Sequence, residues 1–523
     1  MVFRLTLIAL LSLATLSPLR ADETRRAHVI FGDLSYRFVE GGSEEILWTL
    51  VSGGREDRLR IPPAIVASAG GVTGLAGRKN SVSGRNFGDE FLVDKIGWLP
   101  LPPVRNSLAS PRSQVFILAK FKDVSTTPHA KSWYETMAVG ESPSLRDYFL
   151  EQSYGVWDIA GSVVTNWVTL PKTRAQYTVS GGIGVNDEAV VKDALAAADS
   201  QVDYRQFDGF HVLLNSAAGA IGGTGGRGTY TLDGQTRQWG RTYNNDGGGM
   251  FGLLAHEMGH SFGFDHSSGP YSTPYDSRWD QMSAGGVWDR RHPEYGPYPQ
   301  HTNAYHRIVT GITPPERIPE CLPGTNRTVQ LSKAVQPTAG YMQAARIFLG
   351  GDGGHWLTVE ARKRAGTYEQ GVTLPDQGVV LHDCDPGHMM VDVFTGILHG
   401  GPVSYVVDPD NNGNPNDAAA VWKVGETYTD VPNGVTVTVV RETAVGYDVK
   451  ITVDPNQPKP FVVTNGNDSG PGSLRGAIKY ANLFPGTTIR FAASASTLTN
   501  GELVVKLVTP LPEITAEKTT IDG

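Results

Sequence analysis

Apolar positions fall into four regions of different period along the chain. Residues 22–112 carry short alternating runs, such as 27–31 and 58–61, broken by Gly-Gly and Pro-Pro. That pattern predicts a small β-rich domain, with Leu99-Pro100-Leu101-Pro102-Pro103 as its exit linker. Residues 113–318 open on 114–121, a near-continuous apolar run suited to a strand buried on both faces. Residues 144–155 are apolar at helical spacing and close on a glycine, and 187–202 are alanine-rich with an acidic first turn, so both read as helices. Runs 156–161, 167–171 and 210–214 read as strands, and alternating strand with helix predicts an α/β subdomain. Residues 319–456 hold strand-like runs at 355–362, 378–382 and 434–440, separated by Asp/Asn/Gly/Pro turns, which predicts a β-sandwich. Residues 457–523 form a fourth segment. The expected fold class is multidomain, with an α/β domain flanked by β-rich units.

Composition narrows the function more than the fold. At 523 residues the chain exceeds a single domain, and 40% apolar with 19% charged residues is ordinary for folded, globular material. A net charge of −8 without a basic block argues against nucleic acid as a partner. Near the start, Arg4 precedes an apolar run at 5–16, then Ser17-Pro18-Leu19-Arg20-Ala21 before Asp22-Glu23. This is the layout of a secretory signal over residues 1–21, cut after about Ala21, with an apolar core too short to span a bilayer. No later stretch is long enough to be transmembrane, so a secreted or extracellular chain is expected. Its two cysteines, Cys321 and Cys384, would be paired or free in such a compartment.

The chemistry concentrates in His256-Glu257-Met258-Gly259-His260-Ser261-Phe262-Gly263-Phe264-Asp265-His266. Histidines four apart share one face of a helix, so both imidazoles reach one ion. Gly263 is the natural stop, since it accepts positive φ without a Cβ clash, and the returning chain brings His266 to the same place. Three neutral imidazoles with a fourth position left for water make a catalytic rather than a structural zinc site. Glu257 stands beside the metal without being a ligand, where it takes a proton from the activated water.

This segment resembles the extended signature of the metzincin clan of zinc peptidases. The resemblance implies a methionine turn beneath the metal, and Met282 in Trp279-Asp280-Gln281-Met282-Ser283-Ala284-Gly285-Gly286 is its candidate. Some metzincins carry a tyrosine ligand two residues past that methionine; here Ala284 stands there, so none is expected. Gln152-Ser153-Tyr154-Gly155, the 167–171 stretch and 301–311 resemble gametolysin-like and immune-inhibitor-A-like secreted peptidases, and the presence of His266 leans toward the former. Residues 461–478, 511–514 and 521–523 resemble the opening of a right-handed parallel β-helix, which stacks many coils; the chain is therefore expected to be a piece of a longer protein. Neither cysteine precedes the histidine segment, so latency through a propeptide thiolate is not expected. Residues 22–112 fit a propeptide, an inhibitory domain or a permanent accessory domain equally.

Two further groups of polar residues bear on metal binding. Asp408-Pro409-Asp410-Asn411-Asn412 opens an oxygen-rich stretch that begins like a calcium loop, with Asp408, Asp410 and Asn412 as candidate ligands. Its twelfth position is Ala419, where a bidentate glutamate belongs, so a solvated turn is favoured over Ca2+. His211 reads as a hydrogen-bonded core residue, His301 and His306 as structural or surface residues, and His382, His388 and Cys384 as a poor zinc signature. The combined expectation is a secreted zinc endopeptidase acting on proteins or peptides, with possible association with a cell surface or extracellular matrix. The competing class is a surface adhesin or binding protein whose peptidase-like domain is inactive.

Overall fold

In a computed structural model of the chain, the residues described are 6–9, 28–39, 45–52, 55–61, 66, 79–87, 90–98, 112–178, 185–217, 222–244, 250–269, 275–284, 287–349, 355–370, 373–385, 389–391, 398–400, 402–456, 461–468, 472–483, 487–492, 498, 502–507, 511–514 and 518–522. Of the predicted signal, only Thr6–Ala9 is among these, as a short strand parallel to Val504–Leu507.

The first strands are β1 (His28–Val39), β2 (Glu45–Ser52), β3 (Arg55–Arg60), β4 (Lys79–Phe87) and β5 (Glu90–Trp98). Next come β6 (Gln114–Lys120), α1 (Lys131–Val139), α2 (Leu145–Gln152), β7 (Val163–Val164), β8 (Val168–Thr169) and α3 (Asp187–Ala198). They are followed by β9 (Gly209–Leu214), β10 (Gly223–Leu232), β11 (Gln235–Asn244) and α4 (Met250–Phe262). All these strands form one sheet in the order β2-β3-β5-β4-β1-β10-β11-β9-β6-β7, with β8 also pairing β6. The residues read as a separate N-terminal β-domain therefore join the α/β sheet edge to edge, through β1 and β10. No periodicity within either stretch could reveal that pairing, because edge pairing uses backbone groups alone.

Alternation along β6 explains the layering. Val115, Ile117 and Ala119 face one core with Val190, Val191 and Ala194 of α3, whereas Phe116 and Leu118 face another with Phe149 of α2 and Leu254 and Met258 of α4. Helix α2 begins where Ser144 Oγ accepts from the Asp147 amide at 3.2 Å. The run at 156–161 is not a strand. There the Trp157 amide donates to Ser153 Oγ at 2.7 Å and the Ala160 amide to Asp158 Oδ1 at 2.8 Å, so side chains take the amides a ladder would need.

Past α4 lie β12 (Ser267–Ser268), α5 (Gln281–Ala284), α6 (Ala304–Val309), β13 (Glu320–Cys321), β14 (Asn326–Ser332), β15 (Ala345–Phe348), β16 (Trp356–Arg362), β17 (Gly378–Cys384) and β18 (Ser404–Val406). Strands β19 (Thr427–Asp430), β20 (Val435–Glu442) and β21 (Gly446–Val453) complete this part. One sheet runs β12-β18-β17-β16-β15-β13 and the other β14-β21-β20-β19, with Leu331, Val359, Leu381, Val437 and Val449 in the core they share. Cys321 and Cys384 are buried free thiols, on β13 and β17 with two strands between them, so they do not pair.

The two sheets dock onto the α/β part through buried charge. Arg307 of α6 pairs with Glu360, Arg362 pairs with Glu369, and Arg362 Nη1 donates to the Trp279 carbonyl at 2.7 Å. Glu151 of α2 accepts the Thr367 and Tyr368 amides at 2.6 and 3.1 Å. Strands β22 (Val462–Val463), β23 (Thr488–Phe491) and β24 (Thr520–Asp522) form a small parallel sheet, against which α7 (Leu474–Leu483) packs Leu474, Ala477, Ile478 and Ala481. Among the described residues no helix is long and apolar enough to cross a membrane.

Candidate metal centre

Helix α4 buries Phe251, Leu254, Ala255 and Met258 in the core below the sheet, which leaves His256 and His260 together on another face. The helix ends in a Schellman turn. The Gly263 amide bonds the His260 carbonyl and the Phe264 amide the Gly259 carbonyl, each at 3.0 Å, with Gly263 at φ +102°. That reversal carries the chain back and places His266 against the helix.

The three rings then converge. His260 Nε2 lies 3.1 Å from His256 Nε2 and 3.0 Å from His266 Nε2. Nitrogens on one tetrahedral zinc, at ~2.0–2.1 Å each, stand roughly 3.3 Å apart. His256 Nδ1 meets the Gln281 carbonyl at 2.7 Å and His260 Nδ1 the Phe264 carbonyl at 2.8 Å. A carbonyl only accepts, so both Nδ1 atoms carry the proton and both Nε2 atoms present lone pairs to each other. Two buried lone pairs at that separation repel unless a cation lies between them, and backbone carbonyls behind the ligands are the usual outer layer of a metal site. The donor set fits zinc. Among the described residues this is the one group of three His, Cys, Asp or Glu side chains able to share an ion.

Glu257 is fully buried against β10. A Cβ on Gly223 would lie 2.5 Å from Glu257 Oε1, and one on Gly225 2.2 Å from the Glu257 carbonyl oxygen, so both glycines are required for this approach. Met282 is also fully buried, its sulfur 2.6 Å from where a Cβ on Gly259 would stand. It thus lies against the helix between the two histidine turns, while its neighbour Gln281 holds His256. Gln281 is itself fixed, donating to the Gly252 carbonyl at 2.7 Å and accepting the Gln300 amide at 2.9 Å. Asp280 accepts the Met282 and Asn303 amides at 3.2 Å each and pairs with His306 Nδ1 at 2.9 Å. Burial alone would raise the Asp280 carboxyl, but His306 and these hydrogen bonds outweigh it and hold it well below the usual carboxylate range.

The spacing rules missed Gly259, Gly223, Gly225, Gln281 and Asp280. They also missed Tyr275, a non-glycine residue at φ +60° whose ring centre lies 5.6 Å from that of His266 and 6.5 Å from that of His256. Only the glycine-rich run 222–228 carried any signal in the sequence.

The remaining candidates stand elsewhere. His211 is sealed in the core between Thr242 Oγ1 at 3.0 Å and Gln114 Oε1 at 3.1 Å, and burial pushes its pKa down to about 3. His301 pairs with Glu151 at 3.0 Å in the dock between α2 and the β-sheets. His382 is buried away from the cluster, and His388 lies outside the described residues. The calcium expectation is not supported. Asn412 Nδ2 donates to Asp410 and Asp417 at 2.9 and 2.8 Å, and the Asn414 and Asn416 amides bond the side chains two residues back at 2.8 and 3.1 Å. Asp410, Asn412, Asn414 and Asp417 thus accept hydrogen bonds within the loop's own turns, and Asn416 Oδ1 accepts the Arg278 amide at 2.7 Å, bracing the segment before Met282.

Residues 194–277 match the family model of the matrixin peptidases. This stretch runs from the end of α3 through β9, β10, β11 and α4 to just past His266, and it supports a metzincin-type metallopeptidase domain. No curated protein matches the chain in sequence. A solved structure described as a chaperone–substrate complex is 14% identical over 45% of this chain and 36% of its own, with a TM-score of 0.18, which carries no argument.

Proposed function

We propose that the protein is a secreted zinc endopeptidase of the metzincin type, on the gametolysin-like side of that clan, hydrolysing peptide bonds of protein substrates. One observation carries the reading: three Nε2 atoms face one point, two of them forced into the metal-binding tautomer by backbone carbonyls. A zinc ion held there would lower the pKa of a bound water toward neutrality and polarise the scissile carbonyl. Glu257, next to His256 and screened from bulk solvent, takes the water's proton and delivers it to the leaving amine. Met282 keeps the ligand helix seated, and Gln281 and Phe264 keep the imidazoles aimed. The apolar run at 5–16 supports export, and the parallel strands at 462–522 support a β-helix-like extension suited to a surface or matrix setting.

Glu257→Gln tests the reading. The amide keeps size and hydrogen bonding but cannot accept the proton, so the variant should bind about one zinc per chain and lose at least ~100-fold in casein turnover. Near wild-type cleavage by the variant would remove Glu257 from the mechanism. A zinc-loaded wild type that cleaves no protein would favour the adhesin reading.

A further inference from the structure

Helix α4 carries two of the three histidines, and the rest of the centre lies on chain fastened to the C-terminal sheets. Directly after His266, Ser267 and Ser268 form β12, which pairs in parallel with Ser404 and Tyr405 of β18. The backbone leaving the third ligand is thus the edge strand of the six-stranded sheet. Behind that pairing, Ser404 Oγ accepts from Asn303 Nδ2 at 2.9 Å, and the Asn303 amide donates to Asp280 Oδ1 at 3.2 Å. On the other side of His266, Asp265 accepts the Tyr305 hydroxyl at 3.4 Å. The Tyr305 ring in turn lies edge-on to Trp356 of β16, with ring centres 5.9 Å apart.

The methionine turn is held by the same unit. Trp279 is fully buried in a cluster with Leu374, Val380, Val406, Ala420 and Val421. Its indole Nε1 donates to the Pro415 carbonyl at 2.8 Å, and its own carbonyl accepts from Arg362 Nη1 at 2.7 Å. Just beyond, the Gln281 carbonyl meets His256 Nδ1 at 2.7 Å and Met282 packs against α4 at Gly259. Val406 serves both attachments, because it lies on the strand that pairs with β12 and in the cluster that seats Trp279. Close-packed interfaces of this kind shift between discrete arrangements rather than yielding gradually. We infer that the sheets of residues 320–453 are part of the metal centre, a clamp on the third ligand and the methionine turn whose packing is coupled to metal affinity. The coupling is reciprocal, so loosening the clamp weakens the metal and the metal tightens the clamp. The inference rests on the proposed zinc site, but it can be measured without hydrolysis.

The test uses the full chain with Co2+, whose visible bands are intense in a four-coordinate site and weak in a six-coordinate one. Val406→Ala and Val437→Ala make the same truncation of a buried valine, but Val437 sits in the separate core between the two sheets. Val406→Ala should lower Co2+ affinity at least ~5-fold and weaken the bands as solvent replaces His266, while Val437→Ala leaves both unchanged. The reciprocal arm follows hydrogen exchange of the Ser404–Val406 amides in the chain without either substitution. Co2+ should slow that exchange at least ~5-fold, and should not do so in His266→Ala at saturating Co2+. Affinities that do not differ between the two valine variants would overturn the proposal, as would exchange at 404–406 that ignores the metal. A wild type that binds no Co2+ would overturn it together with the zinc site. If the coupling holds while the zinc-loaded wild type never cleaves casein, only the peptidase reading fails.

Discussion

Gly263→Val puts the link between the helix and the third ligand under a quantified load. Gly263 sits at φ +102°, beyond the left-handed region that Asn or Asp tolerates and far from anything a β-branched residue adopts. Holding valine there costs about 1–3 kcal/mol. The chain relieves this strain only by giving up the Gly263–His260 and Phe264–Gly259 bonds, and with them the Phe264 carbonyl that orients His260 Nδ1 at 2.8 Å. If metal binding must restore the native turn, 1–3 kcal/mol becomes roughly a 5- to 150-fold loss of zinc affinity, with a further ~10-fold if the outer hydrogen bond is lost. Competition against a chromogenic chelator measures it. Gly234→Val is the control, because Gly234 at φ +75° lies in the β10–β11 hairpin with nothing within 4 Å of an added Cβ. It also forces valine to positive φ, though closer to the left-handed region, and should leave zinc affinity unchanged. Equal affinities for wild type and Gly263→Val, or equal losses in both variants, would refute the argument that this turn delivers His266.

Gly223→Ala would set a methyl 2.5 Å from Glu257 Oε1, so the carboxylate must move; if Glu257 is the proposed base, casein turnover should fall at least ~10-fold with zinc stoichiometry intact, and an unchanged rate would show that catalysis does not depend on where β10 holds this carboxylate. Met282→Leu conserves volume and should lower stability by under about 1.5 kcal/mol while zinc is retained; loss of zinc would give the sulfur a role beyond packing. Acid should unfold the chain partly through His211 and His382, which burial pushes down to about 3 and about 4. The unfolded chain binds these protons below about pH 6.5 and the folded one does not, so stability falls as pH drops through that window, by on the order of 1.4 kcal/mol per pH unit for each histidine. His211→Gln, which can still bond Thr242 and Gln114, should flatten that slope in denaturant melts between pH 6 and 4; an unchanged slope would place the acid sensitivity elsewhere.

The histidine cluster was legible because it is local. His256, His260 and His266 span eleven residues, and helix periodicity plus one glycine is enough to bring them together. The buried strands at 114–120 and 209–214 were legible for a similar reason, since a strand covered on both faces must be apolar along its length. The run 156–161 looked the same by composition, but Ser153 and Asp158 took its amides, a competition that alternation of apolar residues does not register. What holds the ligands came from far along the chain. The Gln281 carbonyl behind His256 and the β10 glycines against Glu257 answer to backbone position, which side-chain patterns do not encode. The same reason hid the seam between β1 and β10. Backbone hydrogen bonding is identical for nearly every residue type, so local spacing set which histidines gather into a group that could hold a metal, whereas packing between distant segments set what aims them and what covers them.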